Sequence, residues 1–76
     1  MSEMLRLLVK DLVDNPDKID ITEKPNGKGT TLELRVDPSD MGKVIGKQGK
    51  IANAIRVLMK AYAVKENQRI DVEIIG

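Results

Sequence analysis

The hydrophobic pattern at the start of the chain predicts an amphipathic helix over residues 2–14. Its apolar residues recur at the three- and four-residue spacing of a helix, with charged residues between them. They are Leu5, Leu8, Val9, Leu12 and Val13. Met4 and Leu7 widen the apolar sector, which indicates a shallow core or a second contact surface. Asn15-Pro16-Asp17 ends the helix, because proline cannot continue it.

Three later segments alternate between apolar and polar residues, which is the pattern of half-buried strands. They cover residues 19–22, 30–36 and 69–74. The glycine-rich stretch Pro25-Asn26-Gly27-Lys28-Gly29 separates the first two and is the strongest turn signal in the chain. We therefore expect an antiparallel hairpin with one buried face, followed much later by a third strand.

Two helices are predicted between the second and third strands. Asp37-Pro38-Ser39-Asp40 has an N-cap acid, a proline in the first helical position and an acid in the first turn, so both aspartates are interpreted as capping residues. This short helix should run to Ile45. The next should begin after Gly49 and reach Ala63. Its predicted apolar face consists of Ile51, Ala54, Ile55, Leu58, Ala61 and Tyr62.

The element order α-β-β-α-α-β predicts an α+β fold for residues 1–76 as one domain. A right-handed crossover makes the second and third strands parallel, and the hairpin makes the first antiparallel. We expect a three-stranded mixed sheet with the second strand central and three helices on one face. The other sheet face has no aromatic residue in its predicted exposed set, so it is a poor platform for stacking bases.

Composition narrows the possible functions. The chain of 76 residues has no cysteine and no histidine, so it lacks the residues most used for nucleophilic, acid–base and metal chemistry. We expect no enzyme activity, no metal site and no cofactor. No apolar run approaches the roughly 18 residues of a membrane span, and the N-terminus lacks a signal-peptide layout. The chain is therefore expected in the cytoplasm, without membrane contact.

Positive charge is concentrated in one part of a nearly neutral chain. The formal net charge is +1, but residues 41–60 contain five bases and no acid, while all 12 acids lie elsewhere. The five are Lys43, Lys47, Lys50, Arg56 and Lys60. Such a block is typical of an electrostatic footprint for nucleic acid, although a solvated helix face that happens to lack acids is the alternative.

The block is centred on the run VIGKQGKIANAI, residues 44–55, which predicts two helices joined by a glycine turn. Gly46 suits a left-handed residue at the end of the first helix, and Gly49 lacks a β-carbon where the second begins. A phosphate there would meet backbone amides, the positive end of a helix dipole and the Lys47 ammonium. A tightly packed helix corner without a ligand explains the tetrapeptide equally well.

The run VIGKQGKIANAIR resembles the signature of K-homology (KH) domains, in which an (I/V)-I-G-x-x-G segment is followed by an aliphatic residue two positions on, here Ile51. The element order is similar to the type II arrangement of that fold. The whole chain, including Val36-Asp37-Pro38 and Asp40-Met41-Gly42-Lys43, resembles the small stand-alone bacterial KH proteins of the KhpA (YlqC-like) family.

This resemblance implies single-stranded RNA binding, with Gly46, Lys47, Gln48 and Gly49 clamping the backbone of about four nucleotides. Residues near the clamp would form an apolar groove floor and a basic rim. They are Lys43, Val44, Ile45, Lys50, Ile51, Ala54 and Ile55. The central strand, Thr31 to Arg35, would form the other wall, with Arg35 on the rim. For Ile55 we favour packing over RNA contact.

The expected role is that of an RNA chaperone or post-transcriptional regulator, with weak binding and modest selectivity. The alternative is a protein-interaction module, acting as a homodimer or through a second KH protein, with Met4 and Leu7 or Met59 and Tyr62 as contact surfaces. A nucleotide-handling enzyme is disfavoured, because the chain lacks the G-x-x-x-x-G-K-[ST] spacing. We accordingly expect no small-molecule substrate.

Overall fold

The computed structural model covers all 76 residues. The elements occur in the order α1, β1, β2, α2, α3, β3, with short 3-10 turns before β1 and before and after α2. Their bounds are α1 Ser2–Lys10, β1 Asp20–Asn26, β2 Gly29–Arg35, α2 Met41–Ile45, α3 Lys50–Lys65 and β3 Ile70–Ile75. The predicted α+β element order is confirmed.

The sheet has the predicted mixed topology, with β2 between β1 and β3. β1 is antiparallel to β2 and β3 is parallel to it, in a register that places Thr30 beside Ile70 and Leu34 beside Ile74. The inner face carries Leu32 and Leu34, both fully buried, and the helices cover it. Because the two strands flanking β2 are both edges, the only open backbone of the sheet belongs to β1 and β3.

One hydrophobic cluster joins the helices to the sheet. Leu5 and Val9 of α1 and Met59 of α3 are fully buried in it, together with the inner residues of β2. The outer sheet face has no aromatic residue, since the one tyrosine of the chain lies on α3. None of the helices is both long and apolar enough to cross a bilayer.

Two predicted element boundaries are wrong. α1 ends at Lys10, not Asp14, because the amides of Asp14 and Asn15 donate to the carboxylate of Asp40 instead of continuing the helix. β1 runs on to Asn26, so the hairpin turns at Gly27 and Lys28. The edge position of β1 explains why its proline, Pro25, is tolerated, since it has no N–H to donate.

The predicted apolar face of α3 is wrong in part: Ile55 is buried as predicted and Ile51 and Tyr62 are partly buried, but the rest of the face is displaced. The residues that reach the core are Ala52, Ile55, Met59 and Ala63, whereas Ala54, Leu58 and Ala61 are exposed. α3 carries apolar residues on more than one side, so helical spacing alone allowed two choices of buried face. Met59, predicted as a contact surface for a partner, is fully buried and therefore cannot serve as one.

Candidate nucleic-acid interface

The glycine turn has a backbone that ordinary residues avoid. Gly46 has φ 75° and ψ 174°, and Gly49 has φ 73° and ψ 14°. Gly46 has the predicted positive φ, but it is in the region open almost only to glycine and not in the predicted left-handed helical one. Gly49 is in the left-handed helical region, which was not predicted for it. Between them, Gln48 adopts φ 58° and ψ 25°, a left-handed conformation that costs a side-chain-bearing residue roughly 1–2 kcal/mol.

The two glycines are needed for different reasons. A β-carbon at Gly46 would lie 2.6 Å from Cγ1 of Ile51, so the absence of a side chain lets Ile51 pack onto the turn. A β-carbon at Gly49 would meet open space, so only its positive φ favours glycine there. The first glycine therefore closes the corner between the helices, and the second leaves the surface of the turn uncovered.

The turn leaves two backbone donors free. The Gly46 amide donates to the Gly42 carbonyl and the Gly49 amide to the Gly46 carbonyl. The hydrogen bonds of the turn leave the amides of Lys47 and Gln48 without a backbone acceptor, and both residues are exposed. The donors available to an anion are therefore those of the two middle residues, not that of the second glycine.

The five bases of the positive block are not equally available. Lys43 pairs with Asp14 and lies 3.6 Å from Asp40, Lys60 lies 3.7 Å from Asp71, and the Arg56 Nε donates to the Val72 carbonyl at 3.3 Å. Lys47 and Lys50, at the turn itself, form no ion pair. Within this block, the two bases that are engaged by neither an acid nor a carbonyl, Lys47 and Lys50, thus lie next to the free amides.

Asp40 anchors the helix that leads into the turn. Its carboxylate is fully buried and accepts hydrogen bonds from the Asp14 amide (3.2 Å), the Asn15 amide (3.0 Å) and the Asn15 side chain (3.2 Å). Burial alone would raise the pKa of Asp40, but these hydrogen bonds and Lys43 together hold the pKa below its ordinary value. Asp40 occupies the N-cap position of α2, but its side chain makes no capping hydrogen bond, so its interpretation as a capping side chain is wrong.

Two neighbouring groups, Lys43 and Asp37, also have pKa values that are shifted by their hydrogen bonds. The hydrogen bond that the Lys43 ammonium donates to the Asp14 carboxylate raises the pKa of Lys43, and the nearby charge of Asp40 adds to this. Asp37 is the N-cap, as predicted. Its carboxylate accepts hydrogen bonds from the Ser39 amide at 2.9 Å and from the Ser39 hydroxyl, and both bonds lower the pKa of Asp37. Lys43 is thus committed to the anchor, which makes it a weaker candidate for RNA contact than Lys47 or Lys50.

The apolar residues around the turn divide into two groups. Val44 is fully buried and Ile55 is 3% exposed, so both belong to the core. Ile45 is 37% exposed, Ile51 is partly buried and Ala54 is exposed, so these three present apolar surface beside the turn. They are the predicted groove residues that a ligand could reach.

The second wall of the groove differs from the prediction. β2 is covered on both edges by its neighbours, and Arg35 alternates with the buried Leu34, which places it on the sheet face away from the helices. The strand edge beside α3 is β3, as the contacts of Arg56 with Val72 and of Lys60 with Asp71 show. The predicted sheet had the second strand in the centre, which already makes the third strand an edge. The correct wall could therefore have been inferred from the predicted topology.

An α-β-β-α-α-β chain with a mixed sheet and an exposed Gly-x-x-Gly turn between two helices is a KH domain of the type II arrangement. Residues 2–74 match the family model described as "KhpA/KhpB, KH domain". The chain therefore belongs to the KhpA/KhpB family of KH-domain proteins.

Its relatives match over nearly their full lengths. A protein of Clostridium acetobutylicum named RNA-binding protein KhpA is 55% identical over 99% of this chain and 100% of its own. Proteins with the same name from Caldanaerobacter subterraneus subsp. tengcongensis and Aquifex aeolicus are 53% and 45% identical, over 99% of this chain and 100% and 95% of theirs. No solved structure matches the chain significantly.

Proposed function

We propose that the protein binds single-stranded RNA by clamping its sugar-phosphate backbone at the glycine turn. The observation that carries the proposal is the coincidence, within four residues, of two free backbone amides and two lysines without acidic partners. Hydrogen bonds from amides to phosphate oxygens are charge-assisted, and Gly49, whose absent β-carbon would meet open space, leaves the surface of the turn uncovered for the approaching strand. The name shared by the relatives supports RNA as the ligand.

The bases of the RNA lie in the groove between α3 and the open edge of β3. Near the turn this groove offers the apolar surface of Ile45, Ile51 and Ala54, and no aromatic ring. Binding is accordingly modest, because stacking on aromatic side chains is absent. Contact with two to four phosphates gives a slope of log affinity against log salt of roughly −1.5 to −3.

The test is a double substitution, Lys47→Asp with Gln48→Asp. Both residues are exposed and aspartate tolerates the left-handed conformation of Gln48, so circular dichroism should show an intact fold. RNA binding, measured by fluorescence anisotropy, should be lost. The control is Lys10→Asp with Lys18→Gln, which changes the net charge equally at exposed residues outside the turn and should bind normally. Wild-type affinity in the turn variant would exclude the clamp.

We further propose that the cellular role is that of an RNA chaperone or post-transcriptional regulator in the cytoplasm. A backbone clamp without base stacking holds many sequences weakly, which suits transient binding to unpaired segments. The corresponding assay is annealing of two complementary RNA hairpins, which the wild-type chain should accelerate and the turn variant should not.

A second candidate function, assembly with another KH chain, is favoured by one observation. The outer α3 face, defined as Val57, Leu58, Ala61 and Val64, is an exposed apolar stripe at helical spacing. Val57 is 59% exposed, Leu58 54% and Val64 73%. Such a surface on a small domain is typical of a protein contact, and joining two weak RNA sites would raise their combined affinity.

Sedimentation across a concentration series tests this second function. Wild type should associate with itself, and Leu58→Glu should remain monomeric at the same concentrations. Leu7→Glu on α1 is a matched control, since Leu7 is 55% exposed and lies outside the outer α3 face. A monomeric wild type, or equal effects of both substitutions, would rule out self-association through this face.

A further inference from the structure

Arg56 crosses the groove between α3 and β3. Its backbone belongs to α3, and its Nε donates to the Val72 carbonyl of β3 at 3.3 Å. The residue is partly buried and forms no ion pair with an acid. One hydrogen bond therefore holds the guanidinium at the β3 side of the groove, and the side chain bridges the two walls.

The carbonyl that Arg56 contacts faces the open edge of the sheet. The Thr30 amide donates to the Arg69 carbonyl at 3.0 Å, and Thr30 is aligned with Ile70. In a parallel ladder a residue bonds to the two neighbours of its partner, so the odd-numbered residues of β3 bond to β2. The backbone groups of the even-numbered residues, Val72 among them, point away from β2, where the sheet has no further strand.

The single hydrogen bond leaves most of the guanidinium unused. A guanidinium has five N–H donors and no acceptor. The Nε uses one of them, and the four on the two Nη atoms of Arg56 have no partner in the protein. Since the Val72 carbonyl already accepts from the Nε, this part of the groove wall offers more hydrogen-bond donors than acceptors.

The position of Arg56 is suited to a nucleobase near the clamp. Arg56 is six residues after Lys50, the first residue of α3, which places it about 9 Å along the helix from the glycine turn. This distance lies within the stretch of about four nucleotides that a KH clamp holds. Because the Nε is tied to a backbone carbonyl, the guanidinium has lost part of its rotamer freedom before RNA arrives, and less is lost on binding.

We propose that Arg56 selects guanine at one position of the bound strand. Its two Nη groups fit the adjacent O6 and N7 acceptors of guanine as a bidentate pair, which is the commonest specific contact of arginine with a base. Adenine presents the N6 donor beside its N7 acceptor, so one of the two bonds is lost and a donor faces a donor. This inference rests on the proposed function and deepens it by naming the base preferred at one of the clamped positions.

The experiment measures fluorescence anisotropy with strands of about six adenines, each carrying guanine at a single position. Wild type should bind one of these strands about tenfold more tightly than the all-adenine strand, which is the effect of one good bidentate pair. Inosine at that position keeps O6 and N7 and should bind like guanine. The analogue 7-deazaguanine lacks the N7 acceptor and should lose most of the gain.

Two variants separate base selection from charge and from folding. Arg56→Lys keeps the charge but lacks the planar fork, so it should bind the all-adenine strand like wild type and lose the preference for guanine. Lys60→Ala is the control on the next turn of the same α3 face, and it should keep the tenfold preference. Circular dichroism should show both variants folded.

Three results would overturn the inference: no preference for guanine in wild type, a preference that survives in Arg56→Lys, or an equal loss of affinity for both strands in that variant. The last result would show that Arg56 only supports the sheet edge. Absence of binding to any of the strands by wild type would instead refute the proposed function.

Discussion

Lys43 and Lys47 lie one helical turn apart in the sequence, yet the structure uses their charges in opposite ways. In the middle of α2, the ammonium of Lys43 is compensated by Asp14 and Asp40, and it joins the loop after α1 to the helix. At the glycine turn, Lys47 has no acidic partner and lies beside free amides. A block of basic residues in a sequence therefore gives the amount of positive charge, but only the structure shows which of these residues lack an acidic partner and are available to a ligand.

The largest effect on folding is expected at the anchor. Asp40→Ala removes the acceptor of three hydrogen bonds, so the amides of Asp14 and Asn15 lose their partner and Lys43 loses a counter-charge. The melting temperature should fall clearly. Below that temperature RNA affinity should stay close to wild type, since the turn itself is untouched. Unchanged thermal unfolding by circular dichroism would contradict the anchor.

The next largest effects are expected from replacing Lys47 and Lys43 one at a time, and the two variants should differ most clearly in RNA affinity and stability. Lys47→Ala should weaken RNA binding roughly fivefold at 0.1 M salt, while its effect on the free energy of unfolding should stay within about 0.5 kcal/mol. Lys43→Ala should do the reverse, lowering stability while nearly sparing RNA affinity. Anisotropy titrations and urea denaturation on both variants check this. Equal losses of RNA affinity would show that Lys43 also contacts the ligand.

The acid dependence of stability should report the Asp40 anchor and the Asp37 cap, because the pKa of each carboxyl is lowered in the folded protein. The pKa of Asp40 is lowered in the folded protein, so its contribution is complete above the ordinary value of 3.8 and is lost as pH falls through the folded pKa. The pKa of Lys43 is raised, so its contribution is complete below 10.5 and is lost only at higher pH. Urea unfolding between pH 2 and pH 7 should therefore show an acid decline that is weaker in Asp40→Asn.

The smallest effect is expected from Gln48→Gly. Glycine adopts a φ of 58° without strain, so the substitution should stabilise the fold by about 1 kcal/mol. RNA affinity should change less than in Lys47→Ala, because the amide of residue 48 remains. Lys50→Gly, in the right-handed conformation of a helix start, is the control and should not stabilise. A destabilised Gln48→Gly would mean that the side chain makes a contact that offsets its strain.

Sequence reasoning succeeded where a local pattern has one interpretation. Alternation identified three strands, and the Asp37-Pro38 pair identified the start of a helix that Asp37 does cap. Sequence reasoning failed on α3. Leu58 and Met59 are adjacent and both apolar, so the helical repeat could not decide which of the two side chains is buried. It also missed the end of α1, because the acceptor that replaces its last helical bonds, Asp40, is 26 residues from Asp14.

The candidate site shows the same division. The positive φ of Gly46 was predicted from its place at the end of a helix, whereas the positive φ of Gly49 was not predicted. The second wall of the groove was wrongly predicted to be β2, although the predicted sheet order already made β3 the edge strand. The ion pair between Asp14 and Lys43 could not be predicted from the sequence, because the two residues are far apart in the chain and only the tertiary fold brings them together.

The contact between Arg56 and the Val72 carbonyl has a consequence for assembly. An edge strand with unpaired carbonyls invites a strand from another molecule, and here a guanidinium already occupies one of those acceptors. On the opposite edge, Lys24 and Pro25 give a charged and donor-poor rim that discourages such pairing as well. Growth of the sheet into ribbons or fibrils is thereby hindered on both sides, and association is directed to helices and loops.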